Sequence, residues 1–314
     1  MKSAFYSSLL VPVKRVVFNK MKKNISATVI LLFSQVLFHS ISCAQPYFDI
    51  ANIYYQQSPG KSLFHSDENH LKTQLISVNL RAAFKIRNDR IVINPFCDYY
   101  RLQFPGNSTR ELYGIGMGLT YFRQWKNEKW ATAFSIIPRM SSEMKKVNEN
   151  DYQVGGALLN IYKKNENLSC KFGAYYNSEF FGPYFMPLLG IDWKVSDRLT
   201  IFALLPSRVN LEYRLNKRFY TGIEMNFITS SYRYRDDAFL RINDNHAKIF
   251  LDAYLTKNIV LNIHAGQTVF RKYKSGFRES GTTTYMDLDV NDGLLLRAGI
   301  IYRLRLDQKK EAGK

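Results

Sequence analysis

From Tyr47 onward, apolar and polar residues alternate with a period of two. Ile76, Val78, Leu80, Ala82, Phe84 and Ile86 share one face of a stretch whose other face carries Ser77, Asn79, Arg81, Ala83 and Lys85. Tyr113, Ile115, Met117, Leu119 and Tyr121 alternate with Gly114, Gly116, Gly118 and Thr120. Further on, Ala247, Ile249, Leu251, Ala253 and Leu255 alternate with Lys248, Phe250, Asp252 and Tyr254, and Leu294, Leu296, Ala298, Ile300, Tyr302 and Leu304 line one face of a last such stretch. A period of two is the signature of a strand with unlike faces. The stretches run for about 9–14 residues, whereas a globular strand averages about 5–6 and a tilted strand crossing a bilayer needs about 9–11. Aromatics gather at their ends (Tyr99-Tyr100, Trp125, Trp130, Tyr162, Phe180-Phe181, Tyr184-Phe185), where rings with one apolar and one wet side meet a membrane interface. A large soluble β-sandwich also alternates. Strand length, aromatic ends and the leader described below favour an all-β, antiparallel transmembrane β-barrel.

Connection lengths set the strand count. Short connections fall at 87–90, 126–128, 163–167, 196–197, 216–218 and 257–258, and longer or irregular ones at 57–70, 105–111, 141–151, 179–186, 230–245 and 271–291. Bacterial barrels pair short periplasmic turns with longer external loops and an even strand number. With Phe48 to Gln56 as the first strand and Pro206-Ser207-Arg208 as a tight external turn, the count is about 14, or 12 if the pair flanking Pro206 is irregular. Opposed residues of a hairpin share a face, so the turn Asn216-Lys217-Arg218 pairs Tyr213 with Thr221, Leu211 with Ile223 and Val209 with Met225. The same rule pairs Leu205 with Val209 and Ala203 with Leu211.

The 314 residues carry a formal charge of +18 with 44 Lys+Arg and 26 Asp+Glu. Residues 21–45 (MKKNISATVILLFSQVLFHSISCAQ) read as a secretory signal, with Lys22-Lys23, an apolar run from Ile25 to Ile41 and the small-residue site Ser42-Cys43-Ala44. Met21 is the expected start. Residues 1–44 form the extension and cleavable signal peptide, 45–306 the barrel, and 307–314 a charged periplasmic tail. Residues 1–44 hold six of the basic residues and none of the acidic ones, so the mature balance falls to +12. Of the three cysteines only Cys97 and Cys170 then remain, too few for a disulfide framework. Unpaired cysteines are the expectation, with one bridge as the alternative.

The stretch LTIFALLPSRVNLEYRLNKRFYTGIEMNF (Leu199 to Phe227) resembles the core of an uncharacterised outer-membrane β-barrel family, a domain of unknown function typical of Bacteroidetes-type bacteria. The closing arrangement is similar too: a polar loop with Thr282-Thr283-Thr284-Tyr285-Met286-Asp287, then a final strand from Asp292 to Leu304. The likeness spans roughly residues 72–304. It implies a cell outer-membrane location and a barrel fold, and carries no activity, substrate or catalytic residue.

With apolar faces toward lipid, Arg81, Lys85, Asp192, Lys194, Glu212, Arg214, Glu224, Lys248, Asp252, Arg297 and Arg303 line the lumen. Charges withdrawn from water need partners, so a mixed set implies ion-pair networks and a largely filled, structural interior. The alternative is a narrow passive, porin-like channel for small solutes, anionic ones included. A barrel-borne lipid-modifying enzyme would need a Ser–His arrangement. Asn262 and His264 share a strand face, but Gly266 and Thr268 follow where a serine would be expected. A shared proton between Glu212 and Glu224 gives way to a salt network with Arg214. No enzyme and no cofactor are expected. FHSDENH (His65, Asp67, Glu68, His70) and MDLDVND (Asp287, Asp289, Asn291, Asp292) lack full metal-loop patterns, so no metal is assigned. The basic residues follow no nucleic-acid motif. Arg233, Arg235, Arg241, Arg271, Lys272 and Lys274 are placed to meet lipopolysaccharide phosphates. The expected partners are outer-membrane lipid, lipopolysaccharide and the barrel-assembly machinery, with the chain itself a monomer. The last strand, with Tyr302, Leu304 and Leu306 on one face, would be its insertion signal.

Overall fold

The structure is a computed structural model that describes residues 46–59, 71–104, 108–234, 238–279, 282–288 and 290–306. The leader, the tail, the FHSDENH loop, Arg235 and Asp289 lie outside the described residues. Hydrogen-bonded segments follow the chain as β1 (Tyr47–Ser58), β2 (Lys72–Leu80), β3 (Ala82–Ile86), β4 (Asp89–Gln103), β5 (Thr109–Gln124), β6 (Trp130–Ser142), β7 (Tyr152–Lys163), β8 (Leu168–Glu179) and β9 (Gly182–Lys194). They continue as β10 (Leu199–Leu205), β11 (Arg208–Arg214), β12 (Phe219–Asn226), β13 (Thr229–Tyr234), β14 (Ala238–Tyr254), β15 (Ile259–Glu279), β16 (Thr282–Leu288) and β17 (Leu294–Arg305). β2 and β3 run end to end along β4, β12 and β13 along β14, and β16 and β17 along β15. The wall therefore has 14 antiparallel strands, as the connection lengths imply. It closes because β1 pairs with β2 on one side (Ile53↔Val78) and β17 on the other (Ile53↔Ile300). No α-helix occurs among the described residues.

Alternation sorts the side chains. Ile76, Phe84, Ile115, Met117, Ile249, Leu251, Leu296 and Ile300 all lie exposed on the outside. Their strand neighbours Ser77, Lys248, Phe250, Asp252 and Arg303 are buried. An apolar belt this continuous is the surface of a protein that meets lipid rather than water. Trp125, Trp130 and Phe185 are exposed on it, whereas Tyr100 turns into the interior at 6% exposure. Cys97 and Cys170 are free and face outward.

The hairpin β11–β12 has the expected register: Tyr213↔Thr221, Leu211↔Ile223 and Val209↔Met225. At the preceding turn the pairs are Leu204↔Arg208 and Ala203↔Val209. That corrects the expected Leu205–Val209 pairing by a slide of two positions, which preserves the faces because the strand period is two.

Three expected external loops are instead strand. β8 and β9 are joined by Phe180-Phe181 alone, 230–245 holds the β13–β14 hairpin, and 271–291 holds the β15–β16 hairpin. Of these, β13 lacks the lipid-type pattern because it folds into the mouth and is buried. The bend falls where β12 gives way to β13, where the β14–β15 register shifts between Asn243 and Asn245, and at Phe270 with φ of 54°. Asp292 accepts hydrogen bonds from the amides of Phe270 and Arg271 (2.9 and 3.0 Å) and so fixes this bend.

One sector of the wall is low. β10 and β11 have seven residues each, and β9 pairs with β10 only from Leu189↔Leu205 downward. Above that point Gly182–Leu188 of β9 has no strand on that side among the described residues. An open edge in lipid leaves peptide donors unsatisfied. In β9 even-numbered amides point to β8 (Lys194 N to Asn167 O, 2.8 Å) and odd-numbered ones to β10 (Val195 N to Leu199 O, 3.0 Å). Pro183 and Pro187 occupy odd positions, so two of the donors aimed at the empty side are absent.

β17 closes the cylinder by pairing with both β1 and β15. Removing residues 294–306 would leave two strand edges in lipid. The truncated chain is expected not to fold, seen as loss of the heat-modifiable gel shift; normal heat modifiability would refute that closure is obligatory.

Candidate functional site: a charged lumen stoppered at both ends

At the end bearing the short turns and both strand termini, Arg305 donates to Glu212 (2.6 Å) and lies 3.9 Å from the ring centre of Tyr220 and 5.3 Å from that of Tyr47. One step deeper, Arg303 bridges Asp49 and Asp252 at 2.6 Å each and lies over Tyr47 at 3.6 Å. Asn262 also donates to Asp252. The next layer centres on Glu224, with Lys248 Nζ at 2.9 Å and Arg297 Nη1 at 3.5 Å. Arg297 Nη2 donates to His264 Nε2 at 2.6 Å. On the far wall Lys171 pairs with Asp192 at 2.6 Å.

Register explains these meetings. Asn210↔Glu224, Glu224↔Lys248 and His264↔Arg297 are direct cross-strand neighbours on the inner face. Breaking any of these contacts would strand a charge away from water, which is why each carboxylate is matched.

Of the sequence-derived lumen set, Asp192, Glu212, Glu224, Lys248, Asp252 and Arg297 are inward and ion-paired. Arg81 lines the same cavity and is half-buried. Arg214 sits beside the short turns, opposite Tyr220. Glu212 and Glu224 do not share a proton site, since each has its own cationic partner. Asp49, Arg139, Lys171, Glu179 and Arg305 are additional participants. Asp49 and Arg305 flank the clearest alternation, and Lys171 and Glu179 sit in a strand whose small and polar residues blur its two faces.

The opposite end is closed differently. β13 is covered on both faces. Tyr232 and Tyr234 join Leu71, Leu75, Tyr100, Leu102, Leu112, Leu240, Ile242 and Tyr273 in a buried apolar cluster. The other face of β13 is latched to the inner ends of β6–β8. Glu179 accepts from Ser231 N (3.0 Å) and Ser231 Oγ (2.6 Å), and from Asn177 and Arg139 (2.6 Å each). Arg233 pairs with Asp151 at 2.6 Å, and its carbonyl accepts from Glu143 N at 3.2 Å. At the bend, Arg271 pairs with Asp244 (2.9 Å) and donates to Thr73 Oγ1 (3.0 Å).

This corrects the expected surface patch. Arg233 and Arg271 are 9% and 5% exposed and serve the latch and the bend, Arg233 because β13 folds inward and Arg271 because it sits at the bend of β15 beside Phe270. Arg241 lies 4.2 Å over the ring of Phe181, Lys274 pairs with Asp287 at 2.9 Å, and Lys272 is exposed. Asp287 and Asp292 are thereby engaged separately, and no cluster fit for a metal occurs among the described residues.

Among the described residues, a cavity of about 180 Å³ and another of about 250 Å³ lie between the stoppers and share Tyr54, Asn226 and Arg297 as common walls.

Among solved structures, the chain is similar to an outer membrane channel from Pseudomonas putida F1, at 9% identity and a TM-score of 0.45, covering 82% of this chain and 96% of that one. It is also similar to the toluene transporter TodX of Pseudomonas putida (9% identity, TM-score 0.33, 82% and 89% covered). A third is the translocator domain of the autotransporter NalP from Neisseria meningitidis (10% identity, TM-score 0.33, 91% and 97% covered). No curated protein matches the chain. Residues 76–300 match the family described as a domain of unknown function (DUF6268), and because that match takes in most of the sequence, the chain belongs to this family.

Proposed function

We propose that the protein is a closed barrel of the bacterial outer membrane whose role is structural or exercised at its surface, not an open pore. The observation that carries this reading is β13, folded into the mouth and covered on both faces. By the rule that long loops face outward, this plug lies at the cell surface and the Arg305–Glu212 layer faces the periplasm. Residues 1–44 are the export signal in this reading, β17 engages the assembly machinery, and the barrel acts as a monomer. Lys272 is left as the lipopolysaccharide contact, being exposed on the outer face. The purified protein in planar bilayers is expected to show no steady conductance. A sustained ohmic current from the folded protein would reject the closed reading.

A second reading, restricted permeation, has one observation in its favour. The two internal cavities meet at Arg297, so displacing the plug would connect the larger one to the outside. No catalytic role is proposed: His264 Nε2 receives Arg297, and no serine bonds it among the described residues.

A further inference from the structure

The smaller cavity carries two cations that form no ion pair of their own among the described residues, Asp49 acting on Arg81 only at longer range. Its carboxylates are taken: Asp49 accepts two hydrogen bonds from Arg303 (2.6 and 3.1 Å), Asp252 binds Arg303 and Asn262, and Glu224 binds Lys248 and Arg297. Arg81 and Arg208 line the same space without an ion pair among the described residues, each resting near a ring, Phe48 at 5.4 Å and Phe202 at 5.8 Å. Two guanidiniums beside one another repel unless an anion lies between them. Guanidinium forks also match carboxylate and phosphate oxygens.

A second observation is independent of these charges. Asn210 is only 4% exposed, yet its Oδ1 has no hydrogen-bond partner, and the Oδ1 of Asn52 across the cavity is also without one. Buried polar atoms without partners cost about 1–3 kcal/mol each, so both await a donor. Arg208 shares the inward face of buried Asn210 and Glu212 but is itself exposed, beside the low β10–β11 hairpin.

We infer that this cavity is a binding site for a small hydroxylated organic anion, its carboxylate or phosphate held by Arg81 and Arg208 and its hydroxyls donating to Asn52 and Asn210. An apolar cavity of about 150 Å³ accommodates benzene, so about 180 Å³ suits a compact molecule such as a short hydroxy acid. The site stands whether the barrel is closed or conducting, so its test is separate from the conductance measurement.

Titration calorimetry on the full chain folded in detergent would use glycerate and glycerol 3-phosphate, with glycerol as the neutral comparison. Glycerate or glycerol 3-phosphate is expected to bind at least about tenfold more tightly than glycerol, the carboxylate and phosphate arms showing which anion is preferred. R81Q and R208Q should each weaken that binding by about tenfold or more, the fold-change of one lost charged contact of about 1.4 kcal/mol. N210L should weaken it too. R101Q, on an exposed residue 3.9 Å from Glu111, should not. Heat-modifiable migration verifies that each variant is folded. Absence of binding by either anion, equal binding of glycerol, or unchanged affinity in a folded R81Q/R208Q double variant would overturn the assignment.

Discussion

Arg303→Ala is expected to destabilise the barrel by about 3–5 kcal/mol, the cost of removing one partner from a buried ion pair. The guanidinium is 4% exposed and holds Asp49 and Asp252 at 2.6 Å each. Without it Asp252 keeps only Asn262 as a close partner and the partly exposed Asp49 loses both of its hydrogen bonds. Arg303→Lys should recover part of the loss, since an ammonium lacks the planar fork that spans both carboxylates. The triple variant R303M/D49L/D252L should return close to wild type, because apolar groups of similar volume often replace a buried triad without net loss. Urea unfolding in phospholipid vesicles, followed by the fluorescence of Trp125, Trp130 and Trp193, measures all three. A loss below about 1 kcal/mol in R303A would show that the triad behaves like an exposed pair.

The second large effect concerns the latch. Ser231→Asp places a carboxylate where Ser231 Oγ now lies, 2.6 Å from Glu179. A buried like-charge pair costing about 3 kcal/mol shifts the balance between docked and released β13 by about 100-fold. The readout is a cysteine at Ser141, which is 3% exposed and lines the larger cavity, in a background where Cys97 and Cys170 are replaced by alanine. A charged thiol reagent added from outside is expected to label S141C slowly with the latch intact and about 100-fold faster in S231D. Equal labelling rates would mean that β13 is not the barrier. Glu179→Gln should have a smaller effect, since the amide still accepts from Ser231 while the Arg139 ion pair is lost.

How much of this was readable beforehand depends on which surface a residue faces. Ile76, Ile115, Ile249 and Ile300 were legible because lipid on one side imposes an uninterrupted apolar face, and the β11–β12 register followed from turn parity. The plug was not. In Thr229–Tyr234 both faces are buried, one against tyrosines and leucines, the other against Glu179 and Gln153, so the stretch reads as an irregular polar loop. Arg233 and Arg271 were misplaced for the same reason: a basic residue near a barrel rim reads as exposed unless the inward fold of its strand is known. The lumen charges were legible as a set and illegible as pairs. Partners such as Asp49 and Arg303 lie 254 residues apart, brought together only because the cylinder closes.

The low sector has a consequence for the lipid itself. Seven residues at about 3.4 Å per residue, tilted by about 40°, raise the β10–β11 hairpin only about 18 Å, against an apolar band about 25 Å tall in barrels of this kind. The neighbouring β12, with eight residues before the chain turns into the mouth, is hardly taller, whereas strands of 12 or more residues such as β1, β6 and β17 have no such shortfall. Bilayers respond to a short span by thinning at a modest cost per ångström. The barrel thus gives its surrounding lipids a polarity in the plane of the membrane, with one flank where the leaflets draw together beside Pro206 and another where they keep their full thickness.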